Sequence, residues 1–176
     1  AAAALILDRH GPDAVMQVLA SDHEIIADQR YFDAIRSARD AAIAGRLVTF
    51  GITPTEPRTS YGYIRRGAAL NGGSAAQVEA FAEKPTADVA RDYVEAGYLW
   101  NSGNFLFPAH VMLEEAESFE PEIVEAVRRA VAGSKSDLGF CRLGADFHAA
   151  PSLSIDYAVL ERTSRAAVVE GTFPWS

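Results

Sequence analysis

The sequence predicts a single α/β domain built on a sheet covered by helices. Three observations carry this reading. Residues 14–19 and 47–52 are short apolar runs of strand length, and between them Tyr31, Phe32, Ile35, Ala38, Ala42 and Ile43 recur at helical spacing. Strand, helix, strand in that order is the signature of a parallel α/β sheet. The 176 residues match the size of one domain, and no fixed-period repeat or low-complexity linker divides them.

Each element can be justified in turn. Residues 1–7 are strong helix formers with no capping residue before them. The run at 14–19 predicts a buried strand, followed by a polar turn at Ser21, Asp22 and His23. The helix after it closes at Gly45, a favoured residue past a C-cap, and the strand at 47–52 ends before Pro54. Residues 60–65 mix strand formers with glycine, Asn71, Gly72, Gly73 and Ser74 predict a turn, and 77–81 alternate as a half-exposed strand. Residues 87–96 predict a short helix with Val89, Tyr93 and Val94 inward, closed by Gly97. Trp100, Asn101, Ser102, Gly103 and Asn104 read as a polar turn leading into a strand at 104–107, stopped by Pro108. Residues 111–131 are helical and acidic, broken near Pro121, with the glutamates from Glu114 to Glu125 on a solvated face. A helix at 154–163 turns Ile155, Ala158 and Val159 inward, and 166–169 is a last strand.

Composition excludes several function classes. Sixteen Lys and Arg against 24 Asp and Glu give a net charge of −8, with no basic stripe, so nucleic acid is not the expected partner. No apolar run approaches the roughly 20 residues of a membrane span, and no membrane partner is expected. One cysteine, Cys141, allows no internal disulfide, and no Cys/His cluster has zinc spacing. Walker-type, Gly-x-Gly-x-x-Gly and Gly-x-Ser-x-Gly loops are absent. A small phosphorylated ligand stays open, because it needs only a few local cations.

The chemistry-bearing positions each read two ways. Asp22 follows a strand directly, where ligands of open α/β sheets bind, and could hold a hard cation such as Mg²⁺; it could equally cap the next helix. Glu83 and Lys84 stand side by side before Pro85. A carboxylate accepts from sugar hydroxyls and an ammonium binds phosphate, while a surface ion pair is the plainer reading. On a strand these neighbours would point to opposite faces. Asn101, Ser102 and Gly103 suit hydroxyl binding or ordinary turn chemistry. Gly62, between Tyr61 and Tyr63, serves sheet packing or close approach of a ring.

Five segments in order resemble one family. LASDHEI (19–25), LVTFGITPTEPRTSYGYI (47–64), FAEKP (81–85), LWNSGNFLF (99–107) and SIDYAVLE (154–161) are similar to the conserved-looking stretches LPSDH-I, LVTFGI-PT-PETGYGYI, F-EKP, WNSGMFLF and SIDYAVME of mannose-1-phosphate guanylyltransferases. The bacterial type is the nearest in pattern; its larger members add a mannose-6-phosphate isomerase domain. The resemblance implies a nucleotidyltransferase fold, Rossmann-like, with a mixed, mostly parallel sheet flanked by helices. It implies conversion of GTP and α-D-mannose 1-phosphate to GDP-mannose and pyrophosphate, for polysaccharide or glycoconjugate synthesis in the cytoplasm. It assigns Asp22 to Mg²⁺, Gly62, Glu83 and Asn101 to mannose hydroxyls, and Lys84 to the sugar phosphate. It assigns no catalytic side chain, and reads residues 155–161 mostly as packing, leaving the role of Asp156 open. A homo-oligomer is compatible with it.

The departures from the family pattern are also informative. The family's glycine-rich loop, GG-GTRLWPLSR followed by PKQF, has no counterpart in residues 1–176, nor does the Asp of WSDVGSW, a second metal ligand. Residues 1–176 are therefore expected to be a partial nucleotidyltransferase domain with little activity alone. A related sugar-1-phosphate nucleotidyltransferase and a non-catalytic sugar-phosphate-binding module are the alternatives. Ala20 and Ser60 replace a usual proline and glycine.

Overall fold

The computed structural model describes residues 1–8, 11, 14–70 and 72–176. Helices and strands follow one another as α1 (Ala2–Asp8), β1 (Val15–Val18), α2 (Gln29–Ile43), β2 (Leu47–Ile52), β3 (Gly62–Ala69), β4 (Ala75–Glu83), α3 (Ala87–Glu95), β5 (Leu99–Pro108), α4 (Ala109–Phe119), α5 (Pro121–Ala132), β6 (Lys135–Asp137), β7 (Phe140–Arg142) and β8 (Ala166–Gly171). A 3-10 turn at Ala145–Ala149 and a π-helical turn at Asp156–Leu160 precede β8. Asn71, read as part of a turn, lies outside the described residues; Gly72 next to it has φ +69°, as a turn requires.

The main sheet runs β1-β5-β2-β8-β4-β3, with β3 also pairing β5. It is a mixed sheet flanked by helices, as expected, but not a mostly parallel one. Among the described pairings only β2 with β8 is parallel. The reason is β5. The strand–helix–strand reading treated β1 and β2 as neighbours; instead both pair with β5, each antiparallel to it. They run the same way without bonding to each other.

Helices cover both faces. Asp28 caps α2 by accepting from the N–H groups of Arg30 and Tyr31 at 2.9 and 3.3 Å. The small residues Ala34, Ala38, Ala41 and Ala42 then let α2 lie close on Val48, Phe50 and Val169. On the opposite face, Leu47, Phe105 and Phe107 meet Val111, Met112 and Val124 of α4 and α5. Pro121 opens α5 at the position where its missing N–H costs nothing. Glutamates of the acidic stretch are mostly exposed and pair with arginines, among them Glu117 with Arg128 at 2.6 Å and Glu114 with Arg165 at 2.9 Å. Among the described residues, no helix is long and apolar enough to cross a membrane.

Several local expectations change. β1 is half-exposed rather than buried, because it lies at the sheet's edge. On α3 Tyr93 and Val94 pack inward as expected, together with the fully buried Ala90, whereas Val89 is 36% exposed. The helix expected at 154–163 is only the short π turn. The polar turn expected at 100–104 is strand: β5 starts at Leu99 and carries these residues inside it. What looked like a turn is a bulge. Across from two residues of β2 (Thr49 to Gly51), β5 advances four (Phe105 to Asn101). Gly103 absorbs the excess with φ +68°.

That conformation gives a prediction. A Cβ at residue 103 has room, its nearest neighbour being His23 Cε1 at 3.8 Å, so Gly103→Ala acts through backbone strain alone. Gly103→Ala is expected to cost about 1–2 kcal/mol, read as a lower Tm or denaturant midpoint with an unchanged m-value.

Candidate functional site

Three strands converge where the chain's chemistry collects. In the β3–β4 ladder Gly62 lies opposite Glu83, and in the β3–β5 ladder Tyr63 lies opposite Trp100. Beside these pairs is an open cavity of about 170 Å³. Gly62, Glu83, Lys84, Asn101, Ser102 and Asp156 line it. A larger hollow, about 330 Å³ against α4, is mostly apolar and gathers no comparable set of polar groups.

Gly62 is needed for lack of a side chain. A Cβ there would fall 2.6 Å from Glu83 Oε2 and 3.3 Å from Asn101 Cβ, so only glycine lets the carboxylate lie across the strand. Glu83 has just 12% of its side chain exposed, against 61% for Lys84. The strand rule put these neighbours on opposite faces, and the structure corrects it. Lys84 has φ +47°, which turns the chain after β4 and brings Nζ to 3.4 Å from Glu83 Oε1. The Lys84 N–H donates to the Tyr61 carbonyl at 3.3 Å, holding that turn against β3. A non-glycine residue in this region stores strain, and such strain gathers at functional sites.

Asn101 is held on both sides. Its Oδ1 lies 2.7 Å from the buried Thr49 hydroxyl and accepts from the Gly103 N–H at 3.3 Å. Its Nδ2 donates to Asp156 Oδ1 at 3.0 Å. Asp156 thereby joins the site from the π turn. The sequence reading left its role open within a stretch given mostly to packing; the signal was a carboxylate in SIDYAV beside inward-facing apolar residues. His23, Tyr61 and Trp175 line the same cavity. Trp175 Nε1 donates to His23 Nδ1 at 3.2 Å, and the rings of Tyr61 and Trp175 meet edge-on at 5.7 Å.

Electrostatics follows from burial. Desolvation pushes the Glu83 carboxyl up, the Asp156 charge adds to the rise, and Lys84 opposes it. Desolvation likewise raises Asp156, against the hydrogen bond from Asn101 and the charge of Lys84. The cavity thus pairs two reluctant carboxylates with one ammonium. Such a set takes hydroxyl donors at the carboxylates and an anionic oxygen at the lysine.

Asp22 stands apart. It is exposed in the turn after β1 and does not line the cavity, although His23 beside it does. Among the described residues, no group of three or more metal-ligating side chains exists. Asp22 is a single exposed carboxylate, a donor of the hard-oxygen type that Mg²⁺ takes.

Comparisons with known proteins bear on the family and the fold. The sequence pattern of the family described as "Nucleotidyl transferase" matches residues 1–160. The chain is 49% identical, over 177 residues and 99% of its length, to the mannose-1-phosphate guanylyltransferase of Sinorhizobium fredii, of which it covers 34%. It is 47% identical to a xanthan biosynthesis protein of Xanthomonas campestris, over its whole length and 38% of that protein. Thus it spans little more than a third of the curated relatives. A solved structure from Helicobacter pylori, titled mannose-6-phosphate isomerase, superposes with TM-score 0.86 at 32% identity, over 99% of this chain and 68% of that one.

The raised carboxyls predict a pH effect. Where the native state binds a proton that the unfolded chain has released, stability falls as pH rises. The penalty of Glu83 and Asp156 is absent below the ordinary carboxylate range and complete above their raised values. Asp156→Asn, which keeps an oxygen to accept from Asn101, is therefore expected to raise Tm at pH 7. The gain should shrink as pH falls towards the ordinary carboxylate range. A lower Tm at pH 7 would contradict the assignment.

Proposed function

The chain belongs to the nucleotidyl transferase family, and on that premise we propose that its protein is a mannose-1-phosphate guanylyltransferase, with residues 1–176 forming part of the nucleotidyltransferase domain. The reaction joins GTP and α-D-mannose 1-phosphate. A phosphate oxygen of the sugar phosphate attacks the α-phosphorus of GTP in line, the bond to pyrophosphate breaks, and GDP-mannose forms. The observation that carries this reading is the cavity in which Gly62, Glu83, Lys84 and Asn101 meet. Its lining of carboxylate, ammonium and amide groups suits a sugar phosphate rather than a flat apolar ligand.

In this reading Glu83 accepts from ring hydroxyls, and Gly62 clears the space that lets it do so. Asn101 has one amide hydrogen left for a hydroxyl oxygen. Lys84, flexible and exposed, reaches the phosphate. Asp22 would hold Mg²⁺, which when bound offsets charge on the phosphates. No side chain needs to bond covalently to substrate, so rate comes from positioning and charge stabilisation. GTP as the nucleotide, a cytoplasmic setting, supply of GDP-mannose to polysaccharide synthesis and a homo-oligomeric state belong to the same proposal; the xanthan-related similarity supports the polysaccharide role.

The test is pyrophosphate release by the full-length protein from GTP, Mg²⁺ and mannose 1-phosphate. Turnover supports the reading. A folded full-length protein that binds mannose 1-phosphate without turnover overturns it in favour of a binding module. Lys84→Ala is expected to raise KM for mannose 1-phosphate by roughly 10-fold or more, the worth of one charge-assisted hydrogen bond, with little change in KM for GTP. Gly62→Ala should do the same by displacing Glu83, while Tm stays near wild type.

A further inference from the structure

We infer that Asp156 is a specificity-determining carboxylate of this cavity, accepting a sugar hydroxyl that Glu83 does not take, and that Asn101 is the positioning residue that aims it. The inference rests on the sugar-phosphate reading above and names a residue and a role that reading does not need.

Three observations lead to it. First, Asp156 is aimed. Asn101 Nδ2 holds Oδ1 at 3.0 Å, and Asn101 is itself fixed by Thr49, 1% exposed, in the middle of the sheet. An ionised carboxylate has about four acceptor sites, so this hydrogen bond leaves acceptor capacity facing the cavity that Asp156 lines. Second, the backbone is built to present it. The Glu161 N–H bonds the Asp156 carbonyl at 3.0 Å, five residues back, which is the π-helical bond. One residue fewer in that turn would swing the side chain by on the order of 100°. The turn is anchored by Ala158, Val159 and Leu160, all buried against the sheet and α4. Third, the partner it lacks is a neutral donor. Burial disfavours its charge, and Lys84, the nearby cation, is already paired with Glu83. Two desolvated carboxylates with one lysine between them suit a ligand with two separated hydroxyl donors and one anionic end.

The experiment measures kcat/KM of the full-length protein with GTP, Mg²⁺ and mannose 1-phosphate, and with deoxy analogues each lacking one ring hydroxyl. Asp156→Ala is expected to lower kcat/KM for mannose 1-phosphate by about 10- to 100-fold, with KM for GTP unchanged. Against one analogue the penalty should collapse to less than about threefold, because the hydroxyl that Asp156 reads is already gone. Asp156→Asn, which keeps an acceptor oxygen, should recover part of the loss. Asn101→Ala should likewise lose its penalty against the analogue that Asp156→Ala singles out, with a further loss from the hydroxyl that Asn101 itself contacts. An equal penalty on every analogue, or no penalty on mannose 1-phosphate, overturns the inference while wild-type turnover leaves the function intact. A wild type that turns over no sugar phosphate removes the function and this inference together.

Discussion

The hydrogen bond between Thr49 and Asn101 is the constraint on which the site depends. It joins β2 to β5 inside the sheet at 2.7 Å, between side chains that are 1% and 9% exposed. A buried amide without partners is costly, about 1–3 kcal/mol for an orphaned group. The bulge at Gly103 serves this bond, because it lets β5 keep its ladder with β2 on either side while the Gly103 N–H turns back onto Asn101 Oδ1. Once Asn101 is fixed, Asp156 is fixed through it, and the π turn inherits its place relative to the sheet. The order of cause runs from the core to the cavity.

β5 has a second consequence. It lies between β1 and β2 in the sheet and also pairs β3 near its start. One strand therefore ties the helix-covered centre of the fold to the β3–β4 hairpin that carries Gly62 and Glu83. Ligand groups arrive from separate parts of the sequence: Asn101 stands on β5, Gly62 one ladder away on β3, Glu83 a second ladder away on β4, and Asp156 is bonded to Asn101. A site assembled this way is as rigid as the sheet, apart from Lys84, whose exposed side chain can follow a phosphate.

Much of the fold was legible in the sequence, for identifiable reasons. α2 and the break at Pro121 follow from spacing, caps and proline, which are local signals. The strands at 47–52 and 166–169 are apolar enough to be read in isolation. The sense of the sheet was not legible, because β5 enters between β1 and β2 from beyond β3, β4 and α3, and nothing local records that. The Asn101–Asn104 stretch was read as a turn because asparagine, serine and glycine serve turns and polar strand interiors alike. Of the site, Gly62, Glu83, Lys84 and Asn101 came from the resemblance and meet in one cavity. The role of Asp156 was left open because its neighbours are apolar, and only the π turn separates its direction from theirs.

The same geometry explains why the cavity is under tension. Lys84 holds a left-handed backbone that its side chain does not favour. Glu83 is forced close over a glycine, and two carboxylates are partly stripped of water with one cation to share. Each feature weakens the isolated fold slightly. The two carboxylates are relieved by one kind of occupant, hydroxyls that donate to them, while Lys84 suits an anionic group. Stability surrendered at the site reappears as affinity for a ligand that completes its hydrogen bonds, and as rejection of one that leaves a carboxylate unpaired. Selectivity in this cavity is thus built from what the protein leaves unsatisfied, and the packed alanines of α2 and the apolar seam beneath α4 and α5 supply the stability that makes this tolerable.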